Sequence, residues 1–174
     1  NEHSIEGKGH SPARAAKLVF KEVGKQNQQT TLNQLAVYAV YGYADKAKRA
    51  ESKALWKSIK ESTSKWRNAH RLSSTVIAGD FNAAKYTVLD TDRTGHHDPE
   101  KLEPDSNRIH WIEANIKVRD MFRDLHPTTQ AVTRVPQGIK ALTEAGRRID
   151  HIWATKEITN HPATRIGILR DHNM

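Results

Sequence analysis

Apolar and polar positions alternate with two different periods along this chain, and the changes of period mark its elements. Ala15 to Val23 (AAKLVFKEV) and Leu32 to Tyr43 (LNQLAVYAVYGY) are rich in β-branched and aromatic residues and read as strands. The polar Gly24-to-Thr31 segment between them reads as the turn of an antiparallel hairpin. Leu35 to Val40 is apolar on both faces, which predicts a strand in the middle of a covered sheet. From Asp45 to about Ala69 the period becomes helical, with Leu55, Ile59 and Trp66 on one stripe and Lys46, Lys48, Arg49, Lys53, Lys57, Lys60 and Lys65 around it. Thr75 to Ala78 is a short apolar strand, so a strand, helix, strand unit is expected. Helical spacing resumes from Ser106 to Ile116, with Asp105 or Ser106 as N-cap, and Val118 to Leu125 reads as a short helical turn stopped by Pro127. Ala131 to Val135, Ile149 to Ala154 and Arg165 to Leu169 read as three further strands. Asn1 to Pro12 and the long segment Ala83 to Asp105 read as tail and surface loop.

The length of 174 residues fits a single α/β (α+β) domain over 1–174, with 1–13 as loop or tail. There is no cysteine, so disulfides and thiolate metal sites are excluded. No apolar run approaches the roughly 20 residues of a membrane span. The net charge of +8 is unevenly placed: residues 1–75 carry 14 Lys/Arg against 6 Asp/Glu, residues 76–116 carry 4 against 8, and residues 117–174 carry 10 against 6. A basic body around an acidic middle suits a phosphodiester substrate held with a cation. The helix's basic face by itself is better read as a solvated surface than as a DNA-reading one. The chain starts at Asn1 and stops just after an apolar run, which is expected of a piece incomplete at both ends.

Candidate chemistry sits at strand ends. Gly79-Asp80-Phe81-Asn82 follows the apolar run, with Gly79 placed to turn the backbone and Phe81 to enter the core. In extended chain, positions two apart project to one side, so Asp80 and Asn82 can converge on one substrate group. Asp takes a proton or a divalent cation, and Asn donates to a phosphate oxygen without adding negative charge. A helix-capping loop is the competing reading of those four residues. Asp150, within Arg147 to Trp153, and the Asp171-His172 pair at the chain's end add a carboxylate and an imidazole whose tautomer an Asp can fix. The His96-His97-Asp98 cluster reads as surface loop rather than as a zinc site.

Val76 to Asn82 (VIAGDFN), Arg148 to Ile152 (RIDHI) and Asp171-His172 resemble, in order, three signature segments of the endonuclease/exonuclease/phosphatase superfamily. Leu89 to Arg93 (LDTDR) and Arg119 to Pro127 (RDMFRDLHP) bring the likeness closer to the endonuclease domains of LINE-type, non-LTR retrotransposons. The resemblance implies a four-layered α/β sandwich of the DNase I-like type, incomplete here at both ends. It also implies a Mg²⁺-dependent DNA endonuclease, with Mn²⁺ as the alternative ion, acting as a monomeric domain of a larger polyprotein in the nucleus or cytoplasm. By position, Asp80 would activate water or help protonate the leaving oxygen, Asn82 would hold the scissile phosphate, and Tyr41 would hydrogen-bond it. His172, oriented by Asp150, would stabilise charge on the phosphoryl oxygens, and Asp171 would assist the metal.

The chain departs from that pattern in several places. No strand ending in Asn and no Glu-bearing segment precede the hairpin, since Glu2 and Glu6 lie in the tail-like stretch, so the principal metal ligand is missing from the expected place. Gly42-Tyr43-Ala44 replaces a usual Pro-Asn pair, Arg170 replaces a common Ser, and Arg134 stands where an aromatic often follows Thr133. A phosphatase or sphingomyelinase-type phosphoesterase and a catalytically dead nucleic-acid-binding remnant are the alternatives carried forward.

Overall fold

The structure, a computed structural model, describes residues 3–4, 14–21, 34–70, 73–86, 89–91, 106–135, 137 and 146–167. Its elements are β1 (His3–Ser4), β2 (Ala15–Lys21), β3 (Gln34–Tyr41), α1 (Arg49–Ala69) preceded by a 3-10 turn, β4 (Ser73–Asp80), α2 (Ser106–Ile116), β5 (Arg119–Asp120), α3 (Met121–Leu125), β6 (Asp150–Ala154) and α4 (Lys156–Thr159). The strands form one mixed sheet in the order β1-β2-β3-β4-β6-β5. β2 and β3 are antiparallel, as the hairpin pattern predicts, while β3 and β4 are parallel and joined through α1.

One face of the sheet is covered by helices. Trp56, Ile59 and Trp66 of α1 and Ile109, Ile112 and Ile116 of α2 pack on Ala36, Tyr38, Val40, Ile77 and Trp153. These are alternate residues of β3, β4 and β6, so the opposite face carries Leu35, Val37, Tyr41, Val76, Asp80, Asp150 and Ile152. Leu18 and Phe20 of β2 lie on that second face and stay 45% and 54% exposed. The double-sided cover expected over Leu35 to Val40 is thus present on the helix side alone among the described residues.

Several expectations are corrected. His3–Ser4, expected in a tail, adds an edge strand to β2, whose free backbone groups recruit it. Ala131 to Val135 contributes a single bridge, Arg134 to Arg147, rather than a strand, because the Thr133 hydroxyl accepts the Ile149 and Asp150 amides in place of a backbone partner. Arg165 to Gly167 is not strand either, and its Ile166 carbonyl is taken by the His126 ring at 2.9 Å. Ile168 and Leu169 lie outside the described residues.

The strand also continues through Gly79, where the sequence predicts a turn. Gly79 has φ 139°, and a Cβ there would overlap the Val40 carbonyl of the neighbouring strand. The residue is glycine because two strands meet there, and the chain turns later, at Asn82 with φ 50°. Gly79→Ala is expected to cost at least about 1–3 kcal/mol from backbone strain. Thermal unfolding, at about 2–4 °C per kcal/mol for a chain of this size, checks it.

Candidate active site

Register brings three of the candidate residues together. Tyr41 pairs with Asp80 across β3 and β4, and Asp80 pairs with Asp150 across β4 and β6. The three side chains therefore stand in one row on the sheet face away from the helices, about 5 Å between neighbouring strands. Tyr41 is 55% exposed, Asp80 is half-buried and Asp150 is exposed, so the row opens to solvent at the end of the two parallel strands.

The loops beyond the row are held by backbone contacts. Phe81, fully buried, sends its side chain among Trp56, His151 and Trp153, while its N–H donates to the Ile149 carbonyl at 2.8 Å. Gly42 N–H donates to the Asp80 carbonyl at 2.6 Å. A Cβ on Gly42 would approach the Phe81 carbonyl to 2.5 Å, so this close approach accounts for glycine at 42. Arg108 of α2 donates to the Tyr43, Phe81 and Asn82 carbonyls and ties both loops to the helix layer. Arg14 stacks on the Tyr41 and Tyr43 rings at 4.9 and 4.2 Å and donates to the Gly42 carbonyl.

Asn82 reaches the row differently from the alternation expected. It lies past the strand, and its backbone N–H donates to Asp80 Oδ1 at 2.7 Å. Its Nδ2 donates to the Gly42 carbonyl at 3.0 Å. An Asx-type turn, tolerated because Asn accepts positive φ, thus holds the Asn82 backbone at the Asp80 carboxylate while its carboxamide is held at the Gly42 carbonyl, next to Tyr41 in the chain.

Burial pushes the Asp80 carboxyl above its ordinary value, and the Asp150 charge adds to the effect against the Asn82 N–H bond and the nearby positive charge of Arg134. An acid whose folded pKa is raised favours the folded state while protonated and loses that advantage as pH rises. Asp80→Asn, which keeps an oxygen for the Asn82 N–H, is therefore expected to raise Tm at neutral pH. The gain should shrink as pH falls through the raised pKa, as paired melts at pH 7 and pH 4 will check.

A second cluster lies on the helix side of β6. Arg148, 1% exposed, donates from Nε to Asp90 Oδ1 at 2.7 Å and from Nη2 to Asp120 Oδ2 at 2.5 Å. Arg123 donates from Nε to the same Asp90 oxygen at 3.1 Å, and the Lys85 and Tyr86 amides take Asp90 Oδ2. Asp120 also caps α3 through the Phe122 and Arg123 amides, and His151 Nε2 is hydrogen-bonded to the Ala83 carbonyl at 2.8 Å. Burial alone would raise both carboxyls. The His151 and Arg148 side chains at Asp120, and Arg148 with Arg123 at Asp90, reverse this and hold both below the usual range. Asp90, expected on a surface loop, is fully buried because this network needs it. LDTDR, RDMFRDLHP and RIDHI thus contribute Asp90, Asp120, Arg123 and Arg148 to a buried ionic knot that seats the strand bearing Asp150.

Asp171 and His172 lie outside the described residues, as do Glu2, Glu6 and the His96-His97-Asp98 cluster. Among the described residues no group of three or more His, Asp or Glu is placed to hold a metal. A cleft lined by Lys85, Glu113, Lys117, Arg123 and Lys156 includes no member of the row. No described helix is long and apolar enough to cross a membrane.

No protein-family model matches the chain, and no curated protein matches it in sequence. Solved structures do match the fold. The chain is similar to the catalytic domain of APE2 from Xenopus laevis, with a TM-score of 0.60 at 20% identity over 85% of this chain and 48% of that one. It is similar to AP endonuclease LMAP from Leishmania major, with a TM-score of 0.62 at 18% identity over 89% of this chain and 50% of that one. It is likewise similar to the 3'-5' exonuclease NExo from Neisseria meningitidis, with a TM-score of 0.55 at 23% identity over 72% and 50%. The fold is DNase I-like. The mixed sheet with flanking helices agrees with the class expected from the sequence, and the chain spans about half the length of these neighbours. Within a DNase I-like fold, the row sits where β3 and β4 both end, and the ionic knot lies behind it.

Proposed function

We propose that the protein carrying this chain hydrolyses phosphodiesters as a divalent-cation-dependent DNA endonuclease of retrotransposon type. The observation that carries the reading is the single row of Tyr41, Asp80 and Asp150 on three neighbouring strands, with the Asn82 backbone N–H bonded to Asp80 and its carboxamide to the Gly42 carbonyl. The neighbours in fold include an AP endonuclease, a 3'-5' exonuclease and a 3' phosphatase, which supports phosphoester chemistry in general.

In this reading Asp80 takes the proton of the attacking water or supplies one to the leaving oxygen, tasks suited to a carboxyl whose pKa burial has raised. Tyr41 and Asn82 donate to the scissile phosphate, and Asp150 orients the His172 imidazole, which stabilises charge on the phosphoryl oxygens. With Asp80 moving the proton and Asp150 orienting His172, the carboxylate assigned to the cation is Asp171, an oxygen donor suited to a hard ion that keeps much of its water. Mg²⁺ or Mn²⁺, when bound, supplies positive charge to the phosphoryl oxygens in the in-line displacement. The domain acts on DNA inside a larger polyprotein, in the nucleus or cytoplasm.

Nicking of supercoiled plasmid, compared with phosphate release from small esters, tests this. Cation-dependent nicking with little ester turnover is expected. Ester turnover without nicking would instead favour a phosphatase or sphingomyelinase-type enzyme, and salt-sensitive DNA binding with neither activity would favour a non-catalytic remnant.

A further inference from the structure

The row has a fourth position, just before β2. β2 and β3 pair with Ala15 opposite Val40, and one residue earlier the Arg14 carbonyl accepts the Tyr41 N–H at 2.8 Å, so Arg14 stands opposite Tyr41. Residues opposite each other in an antiparallel pair carry their side chains on one face, which puts Arg14 in line with Tyr41, Asp80 and Asp150. The guanidinium lies against two rings, its carbon 4.9 Å from the Tyr41 centroid and 4.2 Å from the Tyr43 centroid. Its Nη1 donates to the Gly42 carbonyl at 3.1 Å, and the same oxygen accepts Asn82 Nδ2 at 3.0 Å. Arg14 and Asn82 thus meet at one acceptor, next to Tyr41 in the chain. Arg14 Nε is shielded from solvent and has no acceptor among the described residues. A shielded donor left unpaired works against folding, and local costs of that kind are expected where a side chain is placed for function.

We propose that Arg14 is a positioning residue: it fixes the exposed Tyr41 ring so that the phenol meets the scissile phosphate. This rests on the reading of the row as a phosphodiesterase centre. The role suits a guanidinium because its planar fork stacks on a ring and donates in its own plane at once, which the point charge of a lysine does not do. Arg14 acts through the phenol and takes no part in bond breaking. The shared Gly42 carbonyl fixes the ring relative to the Asn82 carboxamide, the other group assigned to that phosphate.

The test combines kcat and KM for plasmid nicking by the full chain with fluorine NMR of the same chain labelled with 3-fluorotyrosine. Arg14→Met is expected to lower kcat by about 100-fold, the cost of about 1 Å of misplacement, with KM little changed. Arg14→Lys, which keeps the charge without the planar stack, is expected to fall as far. In a Tyr41→Phe background, Arg14→Met should cost little more, because a residue that works through the phenol has nothing left to position. Of the four tyrosine resonances, those of Tyr41 and Tyr43 should move in Arg14→Met, and those of Tyr38 and Tyr86 should stay. Full rescue by Arg14→Lys, losses that multiply in the Tyr41→Phe background, an unmoved Tyr41 resonance, or a shift of all four resonances would overturn the proposal. Those outcomes leave nicking by the parent chain intact. A parent chain without cation-dependent nicking is a separate result, which fails the hydrolase reading and takes this role with it.

Discussion

Replacing Asp80 by alanine is expected to slow DNA nicking by about 10²–10⁴-fold, the usual contribution of a positioned proton-transfer group. Duplex binding should survive, because the basic residues that supply it are untouched. The expectation follows from three constraints on one carboxylate. Its strand register puts it between Tyr41 and Asp150, and the Asn82 N–H fixes one of its oxygens. Half-burial then raises its proton affinity. Alanine leaves the strand pairing in place, so circular dichroism should be unchanged while the rate falls. A variant that nicks at the parent rate would remove Asp80 from the chemistry and leave its burial unexplained.

Arg148→Met carries the largest expected effect on stability. The guanidinium is the common partner of two buried carboxylates, and removing one member of such a group costs about 3–5 kcal/mol because the remaining charges stay desolvated. Here the charges left behind are Asp90, fully buried, and Asp120, 3% exposed. Arg123 still serves Asp90, so the heavier burden falls on Asp120. At about 2–4 °C per kcal/mol, Tm should drop by roughly 6–20 °C. Adding Asp120→Asn to Arg148→Met should recover part of the loss by removing the uncompensated charge. The knot also predicts acid lability. Both carboxyls have lowered folded values, so their stabilisation is present above the ordinary value of 3.8 and disappears as pH falls through the folded pKa. A parent chain that loses no stability below about pH 4 would contradict the described network.

The helices and the hairpin were legible in the sequence because long, regular apolar spacing leaves few alternatives. Ser106–Ile116 has the bounds that the Ile109, Ile112 and Ile116 spacing predicts. Short strands were less legible. Ala131 to Val135 carries strand-like residues, yet one side-chain hydroxyl, Thr133 Oγ1, takes over the pairing that a strand there would need. Alternation predicts the Asp80 and Asn82 pairing, which arises instead from a turn, since local pattern cannot tell where a strand stops. The ionic knot draws on residues of the sequence motifs, but its pairing is not legible in them. Arg148 stands between Arg147 and Ile149 and two residues from Asp150, so nothing local marks it as buried, and its partners, Asp90 and Asp120, lie 58 and 28 residues away. Only the three-dimensional register of β4 and β6 could bring Asp80 beside Asp150.

The central claim is that Asp80 and Asp150 act as one unit on one phosphorus atom. A double-mutant cycle on the rate of supercoiled plasmid nicking, with Asp80→Asn, Asp150→Asn and the pair, measures that coupling. Groups that act as a unit are strongly non-additive, so the double variant should be about as slow as the slower single variant. Losses that multiply, or a parent protein that does not nick with a divalent cation present, would contradict the account.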